Sequence, residues 1–313
     1  MRKIIKKTVV IVSMLVTFCT LLGLTACSAN AICVTHTYTL SEAFNNILID
    51  TDTADILFLS SENEECKVVC YEREKVKHSV FVENERLKIS VSDNRNWYEF
   101  IGVNFAKQKI TVYLPKTEYK SLDINESTGN VEIANNFKFE KVNIAVSTGM
   151  VKCFASATEN IKITASTGDI LLENISANAL DIKLSTGDVT VNNSTLRGNI
   201  DVKLSTGKVR LTNLTCKNLN STASTGDIIL TNVIATEKFS IDRSTGYVKF
   251  DRADAGEIFV TTDTGDVEGS LLSNKIFIVS TDTGRVSHPN STTGGRCEIT
   301  TDTGDVKITI INE

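Results

Sequence analysis

Three triplets, Asp263-Thr264-Gly265, Asp282-Thr283-Gly284 and Asp302-Thr303-Gly304, spell the Asp-Thr-Gly of aspartic proteases. That chemistry needs two carboxylates sharing a proton at one site. Seven further copies carry Ser where these three carry Asp, from Ser127-Thr128-Gly129 to Ser244-Thr245-Gly246. The triplets therefore read as members of a repeat, not as a catalytic pair. Polysaccharide cleavage by a β-helix enzyme is the alternative enzymatic reading. Hydrolysis would need clustered carboxylates in a groove, and lyase chemistry a base such as Arg or Lys. The last three copies do concentrate Asp, but at repeat-equivalent positions, and no copy has a cluster of its own. A non-catalytic protein with no cofactor is expected.

Metal chemistry has one oxygen-rich candidate. Asp263, Asp266, Asp282, Asp302 and Asp305 could offer a hard cation such as calcium several oxygens. The Gly-Gly-x-Gly-x-Asp spacing of calcium β-rolls is absent, so the plainer reading is a solvated acidic edge with no metal. His36, His78 and His288 are scattered, and no Cys or His cluster has ligand spacing. His288 is given no role. Cys66 and Cys70 fall on one face of an apparent strand, about 13 Å apart at ~3.3 Å per residue, which is too far to pair. Together with Cys33, Cys153, Cys216 and Cys297 they are expected to be free, buried thiols.

Cys27 is a different case. Arg2, Lys3, Lys6 and Lys7 form a basic head, an apolar run extends from Thr8 to Leu24, and Leu24-Thr25-Ala26-Cys27 follows. This is the pattern of a secretory signal over residues 1–26, ending in the lipobox of bacterial lipoproteins with Cys27 as the lipidated residue. An uncleaved anchor is the alternative, since the run approaches the ~20 residues of a spanning helix. Either way the remainder lies outside the cytoplasm. Without the four basic residues of the leader, 29 Lys and Arg face 38 Asp and Glu, a net of −9. So acidic a chain repels nucleic acid.

The elements that must position these residues follow from the repeat. Thr-Gly recurs with glycines at Gly129, Gly149, Gly168, Gly187, Gly207, Gly226, Gly246, Gly265, Gly284 and Gly304, at intervals of 19 or 20 residues. Two residues after each glycine stands Val or Ile, and five before it the residue is apolar in nine copies, with Ser221 the exception. Apolar residues alternate on both sides of the glycine, but the phase flips across it: Ile161, Ile163 and Ala165 are followed by Ile170 and Leu172. A flat strand cannot change face in this way, whereas a glycine corner can. One strand–corner–strand unit cannot bury its apolar face alone, so the units must stack in register. Residues 121–313 are therefore predicted to form an all-β, single-stranded parallel β-helix of about ten coils, some 48 Å long at ~4.8 Å per coil. The crossover rule favours right-handed coiling. Val189 is assigned to a column buried on both sides.

Residues 37–120 lack the glycine rhythm but remain strand-rich, and are expected to cap the open end of the solenoid behind a tether of residues 27–36. Asp52-Thr53-Ala54-Asp55-Ile56 reads as a degenerate first coil, and Glu83-Asn84-Glu85 as a hairpin turn. Trp97, Tyr98, Phe100 and Phe105 are read as aromatics packed over the first coil rather than as a binding loop.

The segment Ile110-Thr111-Val112-Tyr113-Leu114-Pro115-Lys116, through Leu122-Asp123-Ile124 into Ser127-Thr128-Gly129-Asn130-Val131, resembles the DUF4097 family of bacterial surface proteins. The resemblance spans about residue 40 to the end and implies a β-helical fold, an adhesin-like role and no agreed activity. The combined expectation is a monomeric, envelope-anchored module held at the membrane by its lipid. It would bind an envelope polymer or a protein partner.

Overall fold

Side chains alternating inward and outward, with the phase reset at each glycine, leave a chain that can only wind around its own apolar faces. The computed structural model describes residues 33–73, 75–93 and 108–311, and in them the chain does so as one continuous sheet of 25 strands, without helix. Among the described residues no helix is long and apolar enough to cross a membrane. The leader, Cys27 and the aromatics Trp97 to Phe105 lie outside these residues.

From Glu118 onward the coils stack in parallel, each residue over its repeat equivalent: Val142 pairs with Ile161, Ile161 with Leu180, Leu180 with Ile200. The phase flip is present, since Ile161, Ile163 and Ala165 before the corner and Ile170 and Leu172 after it are all buried. The column of Val131, Val151, Ile170, Val189, Val209, Ile228, Val248, Val267 and Val306 is sealed from solvent. Gly226 shows why the corner is glycine. Its φ is +131°, and a Cβ there would lie 1.7 Å from the Gly207 carbonyl oxygen one coil away.

Stacking follows chain order except at the two ends. Thr264 pairs with Thr303, and Thr303 with Thr283. The Gly304 coil is thus inserted between the Gly265 and Gly284 coils, and the Gly284 coil is outermost. Val286, in the sealed column's repeat position, is accordingly 44% exposed. Lys275 reaches past this intervening coil to Asp254, 2.6 Å away. Gly295 lies beside Lys275 and directly on Gly256, where its missing side chain leaves room for the crossing.

The other end is also permuted. β1 (Cys33–Leu40), β2 (Asn46–Thr51), β3 (Ala54–Ser60), β4 (Cys66–Arg73), β5 (Val76–Glu83), β6 (Arg86–Asp93) and β7 (Gln108–Leu114) precede β8 (Glu118–Thr128) and β9 (Val131–Ile133). β2 and β3 form the degenerate coil and stack on β8 and β9, with Ala54 at the corner. β6 and β7 add a further layer beyond it. Residues 37–120 thus continue the solenoid before closing it. Closure comes from β4 and β5, which run antiparallel along β7 and β6, and from β1 on β4. Asn84 and Glu85 turn the β5–β6 hairpin, both with positive φ. β1 takes in residues 33–36, which correct the expected tether: their alternating side chains find a partner strand in β4.

Candidate functional site

The polar residues of the solenoid form lines, not pockets. Aspartates after the corner glycines are used locally: Asp169 Oδ1 accepts the Asp188 N–H, Asp188 Oδ1 the Lys208 N–H, and Asp266 Oδ1 the Asp305 N–H, at 2.8–2.9 Å. Each carboxylate thereby satisfies a backbone donor of the next coil. Lys208 lies between Asp188 and Asp227 and pairs with Asp227 at 3.0 Å. Arg285, which chain order would put between Asp266 and Asp305, instead stacks outside Asp305. There its guanidinium holds the Asp305 carboxyl below the usual range. The calcium candidates Asp263, Asp266, Asp282, Asp302 and Asp305 do not converge, and Asp266 and Asp305 are occupied with backbone N–H groups. Asp263, Asp282 and Asp302 are exposed, as a solvated edge requires.

Along a lateral face runs a shallow polar groove of about 650 Å³, lined by Asn199, Asn218, Asn220, Glu237, Lys238 and Glu257. It too is a ladder: Asn199 pairs with Asn218, Asn218 with Lys238 and Lys238 with Glu257. Asn218 donates to both Asn199 Oδ1 and Glu237 Oε2 at 3.0 Å. Glu237 is held below the ordinary carboxylate range, first by Asn218 and, against the opposing effect of burial, also by Lys217. A glycosidase acid needs the opposite displacement.

One cluster breaks the pattern, in the closing strands. Inward alternation on β4 buries Cys66, Val68, Cys70 and Glu72 in a row. Antiparallel pairing of Arg73 with Val76 brings His78 of β5 back to Glu72, and β1 lays His36 opposite Cys70. Glu72 Oε1 lies 2.6 Å from His36 Nδ1, and Oε2 lies 2.8 Å from His78 Nδ1. The His78 backbone N–H donates to Oε2 at 2.6 Å, and the Tyr38 hydroxyl to the His78 carbonyl at 3.0 Å. Donor atoms of Cys70, Glu72 and His78 all lie within 4.8 Å of one another, the one such group among the described residues. Burial, and then the Glu72 charge, push the Cys70 thiol up to about 12.

His36 and His78, scattered along the chain, thus meet in space at Glu72. Their residues are 36 and 6 positions from Glu72 in sequence, a separation that only the antiparallel strap closes. The one sequence signal available was the acidic residue in the inward series Cys66, Val68, Cys70, Glu72. All six described cysteines are free, five of them buried and Cys33 partly so. His288 stacks on Phe277 at 4.9 Å.

Stacked parallel coils with glycine corners and straight polar ladders define an all-β coil-repeat protein. A family model for Toastrack DUF4097 matches residues 44–203 and 197–313, and the chain belongs to that family. Among solved structures, an adhesin candidate from Parabacteroides merdae is 12% identical with a TM-score of 0.48, over 90% of this chain and 97% of that one. A lipid-binding candidate from Parabacteroides distasonis is 13% identical with a TM-score of 0.46, over 88% and 96%. An adhesin candidate from Bacteroides fragilis is 17% identical with a TM-score of 0.39, over 90% and 97%. No curated protein matches the chain.

Proposed function

We propose that this chain is a non-catalytic, extracytoplasmic binding module, anchored at the membrane through a lipid on Cys27, that recognises an envelope polymer or a protein partner along its lateral face. The observation that carries this reading is the geometry of the polar groups. Asn199, Asn218, Lys238 and Glu257 stand in one register line beside an open groove. A line of repeated donors and acceptors suits an extended ligand with its own repeat, read many times at low affinity per contact. Catalysis on this face would instead require unlike groups converging there on one reacting atom.

Glycan arrays and envelope pull-downs with the full-length chain in detergent test the binding. Retention of a repetitive glycan or one envelope protein is expected, with loss of at least ~10-fold in affinity when Asn218 and Lys238 are both changed to Ala, about 1.4 kcal/mol. Binding that ignores this double change would remove the groove from the reading. Turnover of an acidic polysaccharide would replace it with the enzymatic alternative. For the anchor, Cys27→Ala should abolish lipid labelling and release the chain from the membrane. Unchanged retention would favour an uncleaved spanning segment.

A further inference from the structure

The strap that closes the solenoid carries a set of side chains that neither the ladder nor the groove uses. Glu72 is fully buried, with Cys70 fully buried beside it and His78 almost so. A buried carboxylate is expensive unless a positive charge or several donors meet it. Here a thiol, a carboxylate and an imidazole offer three donor atoms within 4.8 Å of one another. A second imidazole, His36, comes in from the partly open side at 43% side-chain exposure. Sulfur, nitrogen and oxygen donors together are the ligand chemistry of a borderline divalent cation, not of calcium or magnesium, which take oxygen.

We propose that Cys70, Glu72 and His78 bind one zinc-class divalent ion, with His36 on the second Glu72 oxygen fixing the carboxylate and guarding the entry side. A thiolate and a carboxylate balance the two positive charges, so the loaded site is neutral in a water-poor interior. The 2.6 Å His36–Glu72 contact is the kind of outer contact that orients a metal-bound carboxylate. All three donors lie on the β4–β5 turn unit, and His36 lies on β1. The ion therefore pins the antiparallel strap that covers the last parallel layer. Its role is structural and independent of what the lateral face binds.

Cobalt(II) titration of the chelator-treated, full-length chain in detergent tests the site, because cobalt bound to a thiolate shows a near-ultraviolet charge-transfer band. One cobalt per chain is expected, with that band, displaced by zinc and accompanied by a higher unfolding temperature. Cys70→Ser should remove the band, and Cys66→Ser, on the same buried face, should retain it. Buried substitutions could disturb folding, so the partly exposed His36 supplies a second readout. His36→Ala should weaken cobalt ~10–100-fold while the far-ultraviolet circular dichroism stays unchanged. Absence of the band in the native chain, its persistence in Cys70→Ser, or an unchanged affinity in His36→Ala would each overturn the assignment.

Discussion

Arg243 Nη2 donates to Ser221 Oγ at 2.6 Å inside the solenoid core, one coil away and sealed from solvent. Ser221 is the one polar residue in an otherwise apolar repeat position, and Arg243 occupies the inward position that Leu184 and Leu204 fill in other coils. The two exceptions explain each other. Burial draws the guanidinium down to about 10, against the opposing charges of Asp242 and Asp227, and Nε has no partner. Buried charges of this kind cost more in desolvation than they return. The double variant Ser221→Val/Arg243→Leu is therefore expected to be more stable by ~1–4 kcal/mol in urea unfolding. Ser221→Ala alone should lose ~1–3 kcal/mol, because it leaves a buried donor unmet. A destabilised double variant would mean that the pair is a net stabiliser.

The glycine corners make a steric prediction. At Gly226 a methyl group would stand 1.7 Å from a backbone carbonyl at a φ of +131°, so neither side-chain repacking nor a small rotation relieves it. Gly226→Ala should lose on the order of 3 kcal/mol or more, combining backbone strain with separation of two coils. Thermal unfolding within a degree or two of the native chain would show that the stack spreads more easily than this.

Val189→Asp tests the sealed column. Val189 packs between Ile170 and Val209 with no exposure. An uncompensated charge there should unfold the rod cooperatively, with a loss above ~4 kcal/mol. A mild loss would place the inward face elsewhere.

What was legible from the residues was whatever repeats. Spacing and alternation carry the corners, the inward columns and the degenerate coil at Ala54, because each is enforced by contacts between equivalent residues one coil apart. The end layers were not legible. Nothing in Asp282-Thr283-Gly284 against Asp302-Thr303-Gly304 tells which of two near-identical coils is outermost. The partners of Glu72 were hidden for a related reason: β1, β4 and β5 are antiparallel, so their juxtapositions follow strand pairing and not the repeat period.

Glu126 links the first coils to pH. It is buried and takes N–H groups from Ala54 and Thr128 at 3.1 Å, together with the Thr51 hydroxyl. Burial raises its carboxyl above the ordinary 4.5; those hydrogen bonds oppose the shift, and Asp52 adds to it. The folded chain thus holds the proton more tightly than the unfolded chain. That contribution to stability is full below about pH 4.5 and is lost as pH rises through the raised folded value. Glu126→Gln should remove this fall, so its unfolding temperature relative to the native chain should climb between pH 4 and pH 7. Parallel pH profiles for the two chains would show that Glu126 titrates as it does when unfolded.

The inserted Gly304 coil predicts which cysteines can be joined. Thr264 and Thr303 are register partners on adjacent coils, and Thr303 separates Thr264 from Thr283. Adjacent parallel strands lie ~4.8 Å apart, within disulfide reach, whereas two steps, ~9.6 Å, are outside it. Thr264→Cys/Thr303→Cys should therefore oxidise to an intrachain disulfide, and Thr264→Cys/Thr283→Cys should stay reduced under the same conditions. Non-reducing peptide mapping reads both. Stacking in chain order would reverse the two results, since Thr283 would then be the neighbour of Thr264.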